Sequence, residues 1–217
     1  MDPFLLFLFG VIIISLSGAL SPGPLLFTNL SNAPRWGWKG GLWLSLGHTF
    51  VEFPVILLIA FGLSFLFFIP GFHVGLAIVG GSVLIIVGLL QIREAVKAND
   101  DTQEIDLARD KPTRHPLLIG FLFSAFNPFF ILWWFTVGAK LVLDAFLYAA
   151  LGGVIIMFLS HVWIDYVWLI GTAWLTNKGA NLVGTQGYRV FNIAFGVLLI
   201  LFGVTFYLNA LILLGFL

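Results

Sequence analysis

Residues 47–63 read GHTFVEFPVILLIAFGL, and residues 160–175 read SHVWIDYVWLIGTAWL. His48 matches His161 and Glu52 matches Asp165, both displaced by 113 positions. Each stretch is an apolar run carrying one imidazole and, four residues later, one carboxylate. Residues four apart share a helix face, so the same two-residue unit is presented twice. The match continues outward. GGSVLIIVGLLQI at 80–92 resembles FGVLLILFGVTFY at 195–207, where Gly81 and Gly88 match Gly196 and Gly203. Upstream, Ser21-Pro22 corresponds to Asn127-Pro128 at an offset of 106. The chain is therefore an internal duplication.

Composition says what solvent the two copies occupy. Of 217 residues, 60% are hydrophobic and 9% charged, against roughly 25% charged in a soluble domain. Too little polar surface exists to cover a globule of this size, so lipid is the natural solvent. A spanning helix needs about 20 mostly apolar residues. Six such stretches are expected, at about 3–33, 40–67, 72–92, 116–142, 146–175 and 187–214. The first has Asp2 as its only charge before the apolar run and lacks a basic leader segment, so it reads as a retained span rather than a cleaved signal. The expected fold class is all-α and polytopic, with six transmembrane helices in two three-helix repeats, 1–92 and 116–217.

Between the repeats, residues 93–115 hold five of the ten Lys/Arg and six of the ten Asp/Glu. This segment reads as a solvated linker. Six spans place Arg35, Lys39, Arg93, Lys97, Arg109, Lys111, Arg114, Lys178 and Arg189 on one side and Lys140 alone on the other. Basic residues mark the cytosolic side. The split predicts a cytosolic 93–115 loop and both termini outside, in a multi-pass cell-membrane protein. An odd number of spans per repeat makes the second half enter from the opposite face. Inverted halves are the architecture of many secondary transporters, whose sites lie where the halves meet.

Two prolines interrupt the spans. Ser21-Pro22-Gly23-Pro24 cannot continue a regular helix. Serine caps a helix well and proline suits its first position, so Ser21 and Pro22 are expected to start a half-helix running to about Pro34. Asn127-Pro128 has the same form, with a half-helix to about Lys140. Each break then lies roughly 18–20 Å from its exit face at about 1.5 Å per residue. Helix N-termini near the midplane attract anions, and a substrate carboxylate is the natural occupant. Ser21, Pro22, Gly23, Pro24, Thr28, Asn127, Pro128 and Trp133 are the candidate substrate-binding residues. Asn29 and Ser124 also lie near the breaks, and Trp133 and Trp134 either line the path or pack.

Glu52 and Asp165 are the acidic residues expected deep in the spans, and such carboxylates are functional by default. Three readings of His48, Glu52, His161 and Asp165 stay open. They bind a substrate ammonium or carry coupling protons; they ligate a divalent metal ion, as N/O donors suit zinc, manganese or iron; or they pair within each half and serve packing. The absence of cysteine excludes disulfides and thiolate metal sites. Zero formal net charge gives no field for nucleic acid. No nucleophile–base pair of recognisable spacing is present, so no enzyme is expected, and nothing calls for a cofactor. The expected partners are a small-molecule substrate and the bilayer, and a homo-oligomer is compatible with the sequence.

GALSPGP at 18–24, RWGWKGG at 35–41 and GLWLSLGHTFVE at 41–52 resemble the N-terminal signature of the lysine-exporter-type (LysE/RhtB) translocators. NPFFILWW at 127–134 is similar to that family's second Asn-Pro motif. The resemblance spans nearly the whole chain. It implies export of amino acids or their derivatives driven by the proton-motive force, with Pro22, Gly23 and Pro24 matching the first motif and Asn127 and Pro128 the second. Many members carry Asp near the position of Glu52. The duplicated His/carboxylate set does not map onto the family in general, and the wider superfamily includes metal-ion exporters. A divalent-cation exporter therefore stands as the alternative function.

Overall fold

Prolines set where the helices begin. The computed structural model describes residues 2–21, 23–62, 71–97 and 115–216. It contains α1 (Pro3–Ala19), α2 (Pro24–Ala60), α3 (Phe72–Lys97), α4 (Pro116–Ala125), α5 (Pro128–Trp133), a π-helical stretch Trp134–Gly138 and α6 (Ala139–Leu213), with no strand among the described residues. Helices α1, α2, α4 and α5 open on a proline. The missing N–H costs nothing there, because first-turn N–H groups lack intrahelical partners anyway. Asp2 Oδ1 accepts from the Phe4 amide at 2.7 Å, and His115 Nδ1 accepts from the Leu117 amide at 3.3 Å.

Helices α2 and α6 are each more than one crossing. A straight α6 of 75 residues would be about 110 Å long, several bilayer cores. Both helices reverse at a residue of positive φ, Gly37 (61°) and Ala150 (48°). Hydrogen bonds reveal the first reversal. Before Gly37, Asn29 Nδ2 donates to the Leu169 carbonyl at 2.8 Å and Asn177 Nδ2 to that of Ala33 at 3.2 Å. That arm runs in the same direction as residues 151–179. After Gly37, Thr49 meets Tyr166, Glu52 meets His161 and Phe53 meets Phe158, so the second arm is antiparallel to it. At Ala150, a Cβ on Gly153 would stand 2.1 Å from the Ala145 carbonyl oxygen. Eight residues of straight helix would separate those positions by about 12 Å.

The last arm, Asn192–Leu213, packs on α3 through reciprocal glycine contacts. A Cβ on Gly81 would come within 2.8 Å of the Gly203 carbonyl, and one on Gly203 within 2.8 Å of the Gly81 carbonyl. Gly88 and Gly196 repeat the arrangement at 2.6 and 2.9 Å. Pairing 81 with 203 and 88 with 196 requires the two helices to run antiparallel, and only glycine permits so close an approach.

Among the described residues the apolar helices fit the six expected spans roughly, with two helix ends corrected. The fourth span, expected to end near residue 142 with its half-helix ending near Lys140, runs further. The helix runs on to residue 149, and Lys140 Nζ pairs with Asp144 Oδ2 one turn later at 2.7 Å. Lys140 was read as a loop charge, yet its stem and an i,i+4 partner let it remain helical. Helix α3 also continues past residue 92 to Lys97. Most of the linker, residues 98–114, and the end of the second span, residues 63–67, lie outside the described residues.

This boundary changes the geometry of the breaks. Pro3 and Pro116 are offset by 113, and so are the reversals at Gly37 and Ala150. The two broken spans are thus equal in length, and only the break has slid. Pro24 follows Pro3 by 21 residues, whereas Pro128 follows Pro116 by 12. Gly37 and His115 lie toward one face, where the Trp43 and His115 rings meet at 5.3 Å. From that face, the first break is about 20 Å deep along the arm 24–36, and the second about 15 Å deep along α4. With the nine-residue slide, the two breaks lie within about 5 Å of one another in depth from that face.

The positive φ at Ala150 stores strain that glycine would not carry. Ala150→Gly should raise the detergent melting temperature by an amount equivalent to about 1 kcal/mol, and Gly37→Ala should lower it by a similar amount. Differential scanning fluorimetry of the two variants checks this, and an unchanged or lower midpoint for Ala150→Gly would contradict it.

Candidate functional site

The two breaks open onto one cavity of about 440 Å³, lined by Ser21, Gly23, Pro24 and Asn127 together with His48, Glu52, His161 and Asp165. The four ionisable residues are at most 8% exposed, and Glu52 only 1%. The i,i+4 spacing puts each pair on one face of its helix, and the antiparallel crossing of the two helices brings the faces together.

The pairing crosses between the repeats. The closest partner of Glu52 is His161, whose Nε2 lies 2.9 Å from Glu52 Oε1. His48 Nε2 approaches the same oxygen at 3.3 Å, and His161 Nε2 is also 3.4 Å from Asp165 Oδ2. The contacts within each half and the one between the halves join into a four-member cluster. Two antiparallel helices displace the partner by one turn, and that offset is invisible in either helix alone.

Surrounding groups hold the rings in place. The Ser124 hydroxyl donates to the Gly120 carbonyl at 2.7 Å and lies 2.6 Å from His48 Nδ1. Its one proton is committed to Gly120, so the His48 Nδ1–H donates to Ser124, and His48 Nε2 faces Glu52. The His161 ring lies nearly parallel to Trp133, with centroids 6.0 Å apart, and edge-on to Trp134 at 5.2 Å. Glu52 Oε2 and Asp165 Oδ2 are buried without a hydrogen-bond partner among the described residues. A buried carboxylate left short of partners costs several kcal/mol, so this oxygen pair is poised to accept a cation or proton. His48, Glu52 and Asp165 each offer one ligand atom within 4.8 Å of the others, compatible with a divalent ion.

Several expected residues take different parts. Helix α2 starts with Gly23 as N-cap and Pro24 at the first position, not with Ser21 and Pro22. Ser21 lines the cavity, its own amide bonded to the Gly18 carbonyl at 3.2 Å, and Pro22 lies outside the described residues. Of two successive X-Pro steps, the chain uses the later one. The half-helix passes through Pro34 to Trp36 rather than ending at Pro34. Asn127 caps α5 as expected, its Oδ1 accepting from the Phe129 and Phe130 amides at 3.0 and 3.4 Å.

The two helix starts therefore differ chemically. The first amides of α5 are occupied by Asn127, while Gly23 gives α2 no side-chain cap, and Leu25 and Leu26 of its first turn are among the residues lining the cavity. Thr28 is buried and does not line the cavity. Trp133 lines it, and the ring also packs over Gly18, where a Cβ would come within 3.2 Å. Trp168 was missed, although it lies one turn beyond Asp165 on the same helix face. Phe202 also lines the cavity, and its sequence context carries no signal for that role.

An apolar multi-pass bundle with ionisable groups buried between two broken helices is the build of a membrane transporter. The chain belongs to the LysE type translocator family, whose sequence model matches residues 16–210, including both breaks and both His/carboxylate units. Comparison with curated proteins and with solved structures finds no match.

Removing His161 strands Glu52. His161→Ala should cost about 3–5 kcal/mol, the usual loss when one partner of a buried pair is deleted. Adding Glu52→Gln should recover part of it, because a neutral amide is cheaper to bury. Chemical denaturation in detergent of the two single variants and the double variant measures this coupling, and strictly additive losses would contradict the pairing.

Proposed function

We propose that this protein exports amino acids or their derivatives by proton-coupled alternating access. The single observation that carries the reading is Glu52. Its Oε1 is held by His161 from the other repeat at 2.9 Å, while Oε2 stays unpartnered beside the cavity. A substrate ammonium or a proton supplies the missing partner. Either one alters the charge at the crossing of the two central helices, which is where a transporter built of two halves must couple cargo to movement. The substrate carboxylate binds at the first turn of α2, where the Leu25 and Leu26 amides have no side-chain cap.

The two repeats are inverted halves in this reading. The reciprocal Gly81/Gly203 and Gly88/Gly196 contacts support it, because a two-fold axis in the membrane plane exchanges one pair for the other. The termini lie outside and the 93–115 loop in the cytosol, on the strength of the basic-residue split.

A second reading is favoured by one observation. His48, Glu52 and Asp165 can converge on one ion, and Ser124 orients His48 as a supporting hydrogen bond orients a metal-binding imidazole. A divalent cation is then the cargo.

Glu52→Gln should fold normally yet lose at least 90% of proton-driven amino-acid efflux from proteoliposomes. Wild-type flux in that variant would remove Glu52 from the mechanism. Thermal stabilisation by zinc or manganese, abolished in His48→Ala, would favour metal cargo; stabilisation by amino acids alone would favour the first reading.

A further inference from the structure

We infer that the cargo is an amine with an uncharged, apolar or aromatic body, and that amino acids with a charged side chain are excluded. This rests on the exporter reading and names the substrate class of the same site. The observation is the distribution of charge around the cavity. Among the described residues, every ionisable side chain that lines it belongs to the His48, Glu52, His161, Asp165 cluster, and no Lys or Arg lines it. Their ligand atoms crowd together, those of His48, Glu52 and Asp165 lying within 4.8 Å of one another. Polar recognition is concentrated at one spot.

The rest of the wall is of another kind. Phe129, Phe130, Trp133, Trp134, Trp168 and Phe202 line the same space. The volume, about 440 Å³, falls in the lower part of the roughly 300–1,000 Å³ range of small-molecule sites. A zwitterion anchored by its ammonium at Glu52 and Asp165 must project its side chain among these rings.

A glutamate side chain would bring a second carboxylate there with no Lys or Arg among the described lining residues to meet it. The two imidazoles of the cluster are already turned to Glu52, and its two carboxylates repel a further anion in a low-dielectric setting. A lysine side chain would carry its ε-ammonium about 6 Å from the α-ammonium. The only anions are already engaged at the other end, so the rings are its remaining partners. A cation over an aromatic face recovers only part of the hydration that an ammonium loses. Leucine or phenylalanine meets neither cost and buries its side chain against apolar surface.

The test is counterflow in proteoliposomes holding the full chain. The four amino acids are L-leucine, L-phenylalanine, L-glutamate and L-lysine. Phenethylamine and 3-phenylpropionate serve as competitors. Uptake of leucine and phenylalanine should exceed that of glutamate and lysine at least tenfold. Phenethylamine, which keeps the amine, should compete, and 3-phenylpropionate, which lacks it, should not. Glutamate or lysine transported as well as leucine would overturn the inference while leaving the exporter reading intact. Stronger competition by 3-phenylpropionate than by phenethylamine would overturn it as well. Counterflow of no amino acid would instead overturn the exporter reading beneath it.

Discussion

A carboxylate that is 1% exposed inside an apolar bundle must be answered by something, and the hydrogen bond from His161 to Glu52 is that answer. The bond joins one repeat to the other at the crossing of the two central helices. It places an imidazole of one half against the carboxylate of the other and leaves Glu52 Oε2 without a hydrogen-bond partner among the described residues. The surroundings serve it. Trp133 and Trp134 fix the His161 ring from two sides, and Ser124 fixes His48. Hydrophobic packing cannot specify this arrangement, because lipid is as apolar as leucine. Buried polar groups, which have one good arrangement and many costly ones, can.

Glycine does the rest of the specification. The α3 crossing with the last arm is set by four glycines whose backbones touch reciprocally. The site itself comes from a departure from symmetry. Both broken spans keep the same length from Pro3 to Gly37 and from Pro116 to Ala150, yet their breaks differ by nine residues. The breaks then lie at similar depths from one face, and both line one cavity. The helix starts also diverge, one sealed by Asn127 and one left open at Gly23. The halves share a fold but divide the work at the site.

Much of this was readable along the chain. Six apolar stretches, the duplicated His/carboxylate unit and the two proline breaks all follow from local chemistry: hydropathy, helical spacing, and the absent N–H of proline. Less legible was where a helix ends. Lys140 looked like a loop residue because charge usually marks the membrane edge, but Asp144 four residues on keeps it helical. Ser21 looked like the cap because both Ser-Pro and Gly-Pro can start a helix, and local propensity does not choose between them. Trp168 needed only the spacing from Asp165; Phe202 needed the fold.

By itself, then, the sequence determined that this is a multi-pass helical membrane protein, which residues are ionisable within it, and near which prolines the helices break. Those are properties of the covalent chain against its solvent. The tertiary structure alone decided which histidine holds Glu52, that both breaks line one cavity, and which helix start has no side-chain cap. Each of these depends on the registry between helices far apart in sequence, and registry is settled by backbone contact at glycines and by satisfying buried charge.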